Sequence, residues 1–453
     1  MKNHVVSAML VLAFGISDAI AQVGLPDDGA SHPPPAIGPY GYNSFIPAAG
    51  YVDPVFGTNV MRVTSDHRPD DIYSHNKMWN ADGTRYLHLD QIINVASGVP
   101  EFTGIPLGAY SFDRGFDPVD PNVMYYQQGA SLHKITLQSG NTWTDSIYFT
   151  APGGAALLSL GGEADWLDVS GRFMVIRYGP EPSVHLYDRR RLRQPYANPI
   201  NGAISIDNTH HSISITPDGQ YLVGGGPSLA SQAQCATGNG WGSDAAFSWH
   251  INRRSVDAQP TEFWTLAGSH MDFLSASDGH DYAIVNDYWT PDVWLADITN
   301  NALDKCADQQ HSLPGNKRLL ALGWNDARHT TAVSRGPLQD FAFVSSEDVT
   351  DLFNSGGNDG NGYITPWRVY KQEIIAINVL TGQIWRVAHH RSRSITQAYA
   401  YQPRLSVSWG GEYIGWASNF NQQSAGVDVY AVRFNPNIVP AAAPLAPDPE
   451  DDQ

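Results

Sequence analysis

The chain has 453 residues, 42% hydrophobic and 16% charged, so it can bury a large core and is not disordered as a whole. Its 27 Lys and Arg residues against 45 Asp and Glu residues give a net charge of −18, which disfavours nucleic acid or an anionic membrane as a partner. Two cysteines, Cys235 and Cys306, exclude a disulfide-rich scaffold and leave one disulfide or two free thiols.

The first 21 residues have the pattern of a signal peptide. Lys2 supplies a positive charge, residues 5–16 form a short apolar run, and Ala19 and Ala21 form a small-x-small cleavage site. We expect cleavage before Gln22 and a mature protein that is secreted or periplasmic. In such an oxidising compartment the two cysteines can pair, and the sequence leaves open whether they do. No later run reaches 18 apolar residues, so no membrane insertion is expected.

The rest of the chain divides by composition. Residues 22–50 are rich in Pro and Gly and predict an extended leader, and residues 436–453 predict a disordered tail. The folded part is predicted to be residues 51–435, and we expect a monomer. This part contains no convincing amphipathic helix of ordinary length.

A turn followed by an alternating apolar strand occurs seven times in the folded part, and each strand is followed by another. The 328 residues from Gly83 to Gly411 make six steps of about 55 residues. This repeat predicts an all-β fold, a seven-bladed β-propeller, whereas two unrelated β-sandwiches would not predict a constant repeat. The turns lie at residues 80–83, 120–122, 169–171, 216–219, 277–279, 335–336 and 409–411.

The N-terminal strand is predicted to close the ring. Residues 57–63 (Gly-Thr-Asn-Val-Met-Arg-Val) resemble residues 382–387 (Gly-Gln-Ile-Trp-Arg-Val), which are predicted to form an outer, fourth strand. The seventh copy lacks such a strand, so the N-terminal copy can supply it and remove an exposed sheet edge. Two of the seven repeats are longer than the others, and their extra residues predict functional loops at residues 224–247 and 347–368.

Six of the seven copies place His, Glu or Gln seven to nine residues before the turn glycine. In a propeller this position begins the innermost strand, so the six side chains are predicted to surround one mouth of the central channel. Their donor types suit a divalent metal ion, with Mn, Zn and Ca as candidates, or a neutral imidazole acting as a general base. The alternative is that they cap backbone groups or hold channel water. The residues are His75, Glu163, His211, His270, His329 and Gln402.

A second polar cluster precedes the seventh inner strand, at residues 389–404. It combines cations with aromatic rings and includes His390, Arg391, Tyr401 and Arg404. On an acidic protein such a cluster can hold a carboxylate or sulfate by forked hydrogen bonds, and the alternative is a solvated loop. The motifs of nucleotide-dependent transfer, serine hydrolysis and helix-borne zinc sites are absent from the sequence.

Several short motifs resemble the exported bacterial propellers related to oligogalacturonate lyase and the propeller ulvan lyases, with a general similarity to TolB-type repeats. The resemblance covers most of residues 51–435. Its motifs are Ser74-His75, Trp79-Asn80-Ala-Asp-Gly83, Gly268-Ser-His270-Met-Asp272, Arg328-His329, His389-His390-Arg391-Ser392, Tyr401-Gln402-Pro403 and Ala417-Ser418-Asn419.

The resemblance implies β-elimination of a uronate-containing polysaccharide or oligosaccharide, with a metal held by His270, His329 and Gln402. This reaction needs neutralisation of the carboxylate, a base for the α-carbon proton and an acid for the leaving oxygen. A metal, Arg391 or Arg404 would neutralise the carboxylate. His211 or His270 would remove the α-carbon proton, and Tyr401 or a water would donate a proton to the leaving oxygen. The substrate-binding residues would be His75, Glu163, His390 and Arg404.

Two other functions fit the same sequence. One is a non-catalytic propeller that binds a glycan or a protein, because a fold does not determine a function. The other is a different metal-dependent enzyme that uses the channel histidines. In either case the expected ligands exclude nucleic acid.

Overall fold

The computed structural model describes residues 24–35, 50–68, 77–107, 114–158, 165–178, 183–191, 213–227, 244–252, 255–257, 261–264, 271–287, 290, 292–299, 310–322, 329–346, 367–392, 402–420 and 426–436. These residues form short antiparallel strands and three 3-10 turns, at Pro152–Gly154, Arg189–Arg191 and Gln310–Ser312. No helix in this part of the chain is long and apolar enough to cross a membrane.

The first strands join blades that later parts of the chain build. They are β1 (Leu25–Pro26), β2 (Tyr51–Val52) and β3 (Asn59–Arg62). Blade 1 contains β4 (Arg85–His88), β5 (Gln91–Asn94) and β6 (Val99–Phe102). Blade 2 contains β7 (Arg114–Phe116), β8 (Val123–Gln128), β9 (Ser131–Gln138) and β10 (Thr142–Thr150). Blade 3 contains β11 (Leu157–Leu158), β12 (Phe173–Tyr178) and β13 (Ser183–Asp188).

The other four blades follow in chain order. Blade 4 contains β14 (Ile213–Ile215), β15 (Tyr221–Pro227), β16 (Asp244–Asn252), β17 (Ser255–Val256) and β18 (Thr261–Trp264). Blade 5 contains β19 (Asp272–Ser275), β20 (Asp281–Asp287), β21 (Asp292–Asp297) and β22 (Lys317–Leu320). Blade 6 contains β23 (His329–Ala332), β24 (Phe341–Ser345), β25 (Glu373–Asn378), β26 (Ile384–His389) and β1. Blade 7 contains β27 (Leu405–Val407), β28 (Tyr413–Ser418), β29 (Asp428–Arg433), β3 and β2.

One hydrogen bond closes the inner hairpin of every blade and explains the sequence repeat. The N–H at the end of the innermost segment donates to a carbonyl at the start of the next strand, at 2.9–3.4 Å. Turn glycines such as Gly411 have positive φ, and a Cβ on Gly411 would lie 2.8 Å from a methyl group of Val333. The seven-bladed propeller is therefore confirmed. The bonded pairs are Asn80 to Arg85, Asp117 to Val123, Asp168 to Phe173, Thr216 to Tyr221, Ala276 to His280, Val333 to Phe341 and Ser408 to Tyr413.

Closure by the N-terminal strand is also confirmed. β3 pairs antiparallel with β29, with Val60 opposite Val432, and thus becomes the fourth strand of blade 7. β2 continues the same sheet outward, with Tyr51 opposite Val60. Val60 is buried in an apolar cluster with Phe343 of blade 6, so the closing strand joins both the sheet and the packing between blades.

Two expectations change or remain open. The predicted loop at residues 224–247 is shorter, because β15 continues to Pro227 and β16 begins at Asp244; the two strands pair directly, and their hydrogen bonds extend the hairpin. Cys235, Cys306, residues 1–23 and most of the C-terminal tail lie outside the described residues, so the disulfide, the signal peptide and the tail stay predictions.

Replacing Val60 with alanine tests the contribution of the closing strand. Removal of two buried methyl groups should lower the free energy of unfolding by about 2 kcal/mol, from lost transfer energy and the cavity left behind. Val52 on β2 is the matched control, because its side chain is 53% exposed. Equal shifts of the urea midpoint for Val60→Ala and Val52→Ala would contradict this role of β3.

A pair of carboxyl groups lies between blades 4 and 5. Ser275 donates its hydroxyl to Asp281 at 2.5 Å and accepts the N–H of Asp218 at 3.1 Å. Burial, and after it the charge of Asp218, raise the pKa of Asp281 to about 8. Asp281 therefore holds a proton in the folded protein at a pH where an unfolded aspartate has lost it.

Replacing Asp281 with asparagine should remove the proton that the protein takes up at this residue when it folds. Since the folded pKa lies above the unfolded value, the wild type loses stability as pH rises from about 4 to 8. The stability of the variant relative to the wild type should therefore rise by about 5 kcal/mol over this range. Urea unfolding at several pH values measures the difference.

Asp82 provides a control, because its pKa is shifted in the opposite direction from that of Asp281. Burial alone would raise the pKa of Asp82, but hydrogen bonds from the hydroxyl and N–H of Thr84 lower it below the ordinary value. Asp82→Asn should therefore lose stability relative to the wild type as pH rises through the acid range. A stability difference for Asp281→Asn that does not change with pH would contradict the raised pKa of Asp281.

Candidate functional site

Half of the predicted site residues lie in the described part of the chain. These are His329, His390, Arg391, Gln402 and Arg404, all in blades 6 and 7. The others lie outside the described residues, and their positions and roles stay predictions: His75, Glu163, His211, His270 and Tyr401.

His329 and Gln402 lie at the same end of two neighbouring inner strands. His329 is the first residue of β23, and Gln402 lies three residues before β27. Both side chains are buried, and β23 contacts β27 directly. The Oε1 atom of Gln402 accepts no hydrogen bond from the described residues, so it is available as an oxygen donor.

Deeper in the channel, one lysine links inner segments of four blades. The Nζ atom of Lys77 in blade 1 donates to the carbonyl of Ala332 in blade 6 at 3.1 Å. It also lies 3.9 Å from Asp165 of blade 3 and 3.7 Å from Asp272 of blade 5. All three charged side chains are buried, so they form a network across the middle of the ring.

Asp272 and Asp165 are held in turn by neighbouring blades. Asp272 accepts a hydrogen bond from the Thr331 hydroxyl at 3.1 Å and another from the N–H of Ala332 at 2.6 Å. The N–H of Asp165 donates to the hydroxyl of Ser214 at 3.1 Å. The orientation of the Asp272 carboxylate is therefore fixed before any ligand arrives, and the backbone of Asp165 is bonded to blade 4.

Blade 2 contributes a second channel cation. Arg114, the first residue of β7, donates to the carbonyl of Leu89 at 3.2 Å. It lines a small cavity together with Lys77, Asp165 and Trp409. In blade 2, Arg114 thus occupies the inner-strand position at which the other six copies of the repeat have His, Glu or Gln.

The opposite end of the channel is covered by Arg335. Its guanidinium donates to the carbonyl of Pro118 in blade 2 at 2.5 Å and to that of Ala81 in blade 1 at 2.6 Å. It lies over the ring of Trp409, whose indole N–H donates to the carbonyl of Trp79.

Sequence reasoning missed the charged network. Lys77, Asp165 and Asp272 each follow a predicted site residue by two positions, since they come after His75, Glu163 and His270. Residues i and i+2 of a strand point to the same face, so charged residues in three copies at that offset were a usable signal.

His390 has a different environment from the one predicted. Its Nε2 atom contacts the carbonyl of Ser346 at 2.9 Å, and its Nδ1 accepts the N–H of Ser392 at 3.1 Å. Burial lowers the pKa of His390 to about 3, so the ring is neutral at ordinary pH. Both nitrogens are bonded within the protein, and we leave His390 out of the proposed substrate site.

The cationic cluster of blade 6 holds the N-terminal segment, residues 24–35. Arg391 donates to the carbonyl of Pro35 at 2.8 Å and lies over the rings of Tyr51 and Phe420. The Nε2 atom of His389 lies 2.7 Å from the carbonyl of His32. These contacts give Arg391 a structural role instead of the free position expected for a group that neutralises a substrate carboxylate.

The described residues fit a metal ion only in part. No group of three His, Cys, Asp or Glu side chains among them is arranged to hold one. The buried Oε1 of Gln402 and the imidazole of His329 are suitable donors, and the third predicted ligand, His270, lies outside the described residues. A metal at this mouth therefore stays a prediction.

Comparison with solved structures places the fold among known propellers. The chain is similar to an oligogalacturonate lyase in complex with manganese, with a TM-score of 0.52, 14% identity and coverage of 85% of this chain and 95% of that one. It is also similar to the oligogalacturonate lyase of Vibrio parahaemolyticus, with a TM-score of 0.51, 12% identity and coverage of 84% and 95%. The predicted resemblance in fold is confirmed. No protein-family model and no curated protein sequence matches the chain.

Replacing Lys77 with methionine should destabilise the protein by about 3–5 kcal/mol, because two buried carboxylates lose their cation. Lys317→Met is the matched control, since the Nζ of Lys317 also donates to a carbonyl but this lysine has no ion pair among the described residues. Urea unfolding measures both. A loss no larger than that of Lys317→Met would contradict the network across the channel.

Proposed function

We propose that the protein is an exported, lyase-like propeller that cleaves a uronate-containing polysaccharide or oligosaccharide by β-elimination at the channel mouth. The observation that carries this proposal is the pair His329 and Gln402 above a channel that contains Lys77 and Arg114. The carboxylates of Asp165 and Asp272 balance the charges of Lys77 and Arg114. An anionic ligand would therefore pair with a further cation near the mouth, such as Arg404. The similarity in fold to oligogalacturonate lyases supports the same class of substrate.

The reaction removes the proton from the carbon next to the uronate carboxylate, and the electron pair of that C–H bond forms a double bond as the glycosidic C–O bond breaks. Arg404 is fully buried two residues beyond Gln402, and we assign to it the neutralisation of the carboxylate. We retain His211 or His270 as the base and Tyr401 or a water as the acid. His75 and Glu163 complete the proposed binding residues.

A divalent metal is the second way to neutralise the carboxylate. His329, His270 and Gln402 would hold it, and one solved propeller of this fold is an oligogalacturonate lyase in complex with manganese. When bound, the ion would supply a positive charge that stabilises the carboxylate as negative charge develops on it. His329 and Gln402 would then be positioned by the starts of two adjacent inner strands.

A non-catalytic glycan-binding propeller is the second candidate. It is favoured by the small channel cavity and by the carboxylate of Asp272, which is already hydrogen-bonded to blade 6. Such a protein would retain an acidic oligosaccharide without forming a product. A different metal-dependent enzyme would retain metal but form no unsaturated sugar.

Incubation with a panel of uronate polymers tests the proposal. The expected result is an unsaturated product that absorbs ultraviolet light, with elemental analysis of the same sample for Mn, Zn and Ca. His329→Ala and Gln402→Ala should each lower kcat/KM at least a hundredfold, because each removes a group from the mouth.

His133→Ala serves as the control for loss of a histidine, since His133 lies on β9 and pairs with Asp145 away from the channel. Its activity should stay within about twofold of the wild type. Retention of an oligosaccharide with no absorbing product would exclude the lyase and favour the glycan-binding protein. Full activity of His329→Ala would show that the mouth is not the active site.

A further inference from the structure

We propose that the groove between blades 2 and 3 is a second, non-catalytic binding site for an acidic sugar chain. We define this groove by Asp117, Val119, Lys134, Tyr148, Arg189 and Arg190. It shares only the class of ligand with the channel site, and it requires no cleavage. The proposal rests on the arrangement of cations, aromatic rings and exposed apolar surface in the groove.

The groove opens on the face of the ring opposite to the proposed mouth. Asp117 directly follows the last residue of β7, and Gly171, which also lines the groove, lies in the turn that follows the inner segment of blade 3. His329, in contrast, is the first residue of its inner strand. Because the inner strands of a propeller run in the same direction, the two sites lie at opposite ends of these strands.

The floor of the groove is a fixed guanidinium. Arg189 donates to Asp117 at 2.8 Å, to the hydroxyl of Tyr125 at 2.5 Å and to that of Tyr148 at 3.1 Å. It also donates to the carbonyl of Gly171 at 2.8 Å. Nothing in the sequence distinguishes Arg189 from Arg190 and Arg191. In the structure, the side chain of Arg189 joins blade 3 to blade 2 and holds the rings of the groove in place.

Two further cations border this floor. Lys134 lies opposite Tyr125 in the pairing of β8 with β9, so both side chains point to the same face of blade 2. Arg190 is exposed next to Arg189. Neither Lys134 nor Arg190 forms an ion pair with any residue that the structure describes, so their charges are available to a ligand.

The charges and surfaces of the groove fit an acidic sugar. Its three cations exceed its two carboxylates, Asp117 and Asp120, whereas the whole chain has a net charge of −18. Tyr148 is partly exposed and Val119 is 59% exposed, and such surfaces pack against the C–H faces of sugar rings. Carboxylate or sulfate groups of the sugar would pair with Lys134 and Arg190.

Hydrogen–deuterium exchange with a galacturonate hexamer and with a sulfated oligosaccharide of matched length tests the proposal at low salt. Either sugar should protect peptides that cover residues 117–126 and 183–191 from exchange. The sugar that protects them more strongly shows whether the site prefers a carboxylate or a sulfate group. Lys134→Ala combined with Arg190→Ala should abolish this protection. By calorimetry it should weaken the binding at this site about tenfold.

Arg318→Ala combined with Arg433→Ala is the control, because it removes two partly exposed positive charges from blades 5 and 7. Protection of the groove should persist in this variant and in His329→Ala, so a failure of the channel site does not affect the result. Absence of protection with both sugars, or equal loss in the control, would overturn the proposal. Equally tight binding of poly-glutamate at the same peptides would replace the sugar with an acidic protein partner.

Discussion

Pairing between β3 and β29 is the contact on which the ring depends. Without β3 the outer edge of blade 7 would expose a row of unpaired N–H and C=O groups. The link between blades 1 and 7 would then depend on side-chain contacts such as the indole hydrogen bonds of Trp79 and Trp409. Side chains secure the same junction, because Arg62 at the end of β3 donates twice to the buried Asp428 at the start of β29. The hydroxyl of Thr58 also donates to the carbonyl of Val387 in blade 6.

Ring closure determines what the channel can contain. The inner segments of the seven blades surround a narrow channel, and a charge buried there needs a partner inside the protein. Lys77 meets this condition through Asp165 and Asp272, which come from blades on the other side of the ring. The proposed lyase chemistry at the mouth would therefore act above a preorganised set of charges, where little reorganisation is needed when an anionic group binds.

The N-terminal segment explains why a cationic sequence need not be a ligand site. β1 pairs with β26, and Tyr370 and Arg386 bind Asp27 and Asp28 of the segment. Arg386 also forms a buried ion pair with Glu373, and burial of Glu373 raises its pKa despite this pair. The cations of blade 6 are thus used to hold the protein's own chain, whereas the groove between blades 2 and 3 retains cations without ion pairs among the described residues.

The repeat of turns and alternating strands was sufficient to predict the number of blades, the inner-strand position of His329 and the strand that closes the ring. These features follow from local rules, since turn glycines and strand alternation act over a few residues. The same rules did not reveal that Lys77 contacts Asp165 and Asp272, that His390 is neutral and enclosed, or that Arg391 binds Pro35. Such contacts join residues up to 356 positions apart, and they exist only once the ring has brought distant segments together.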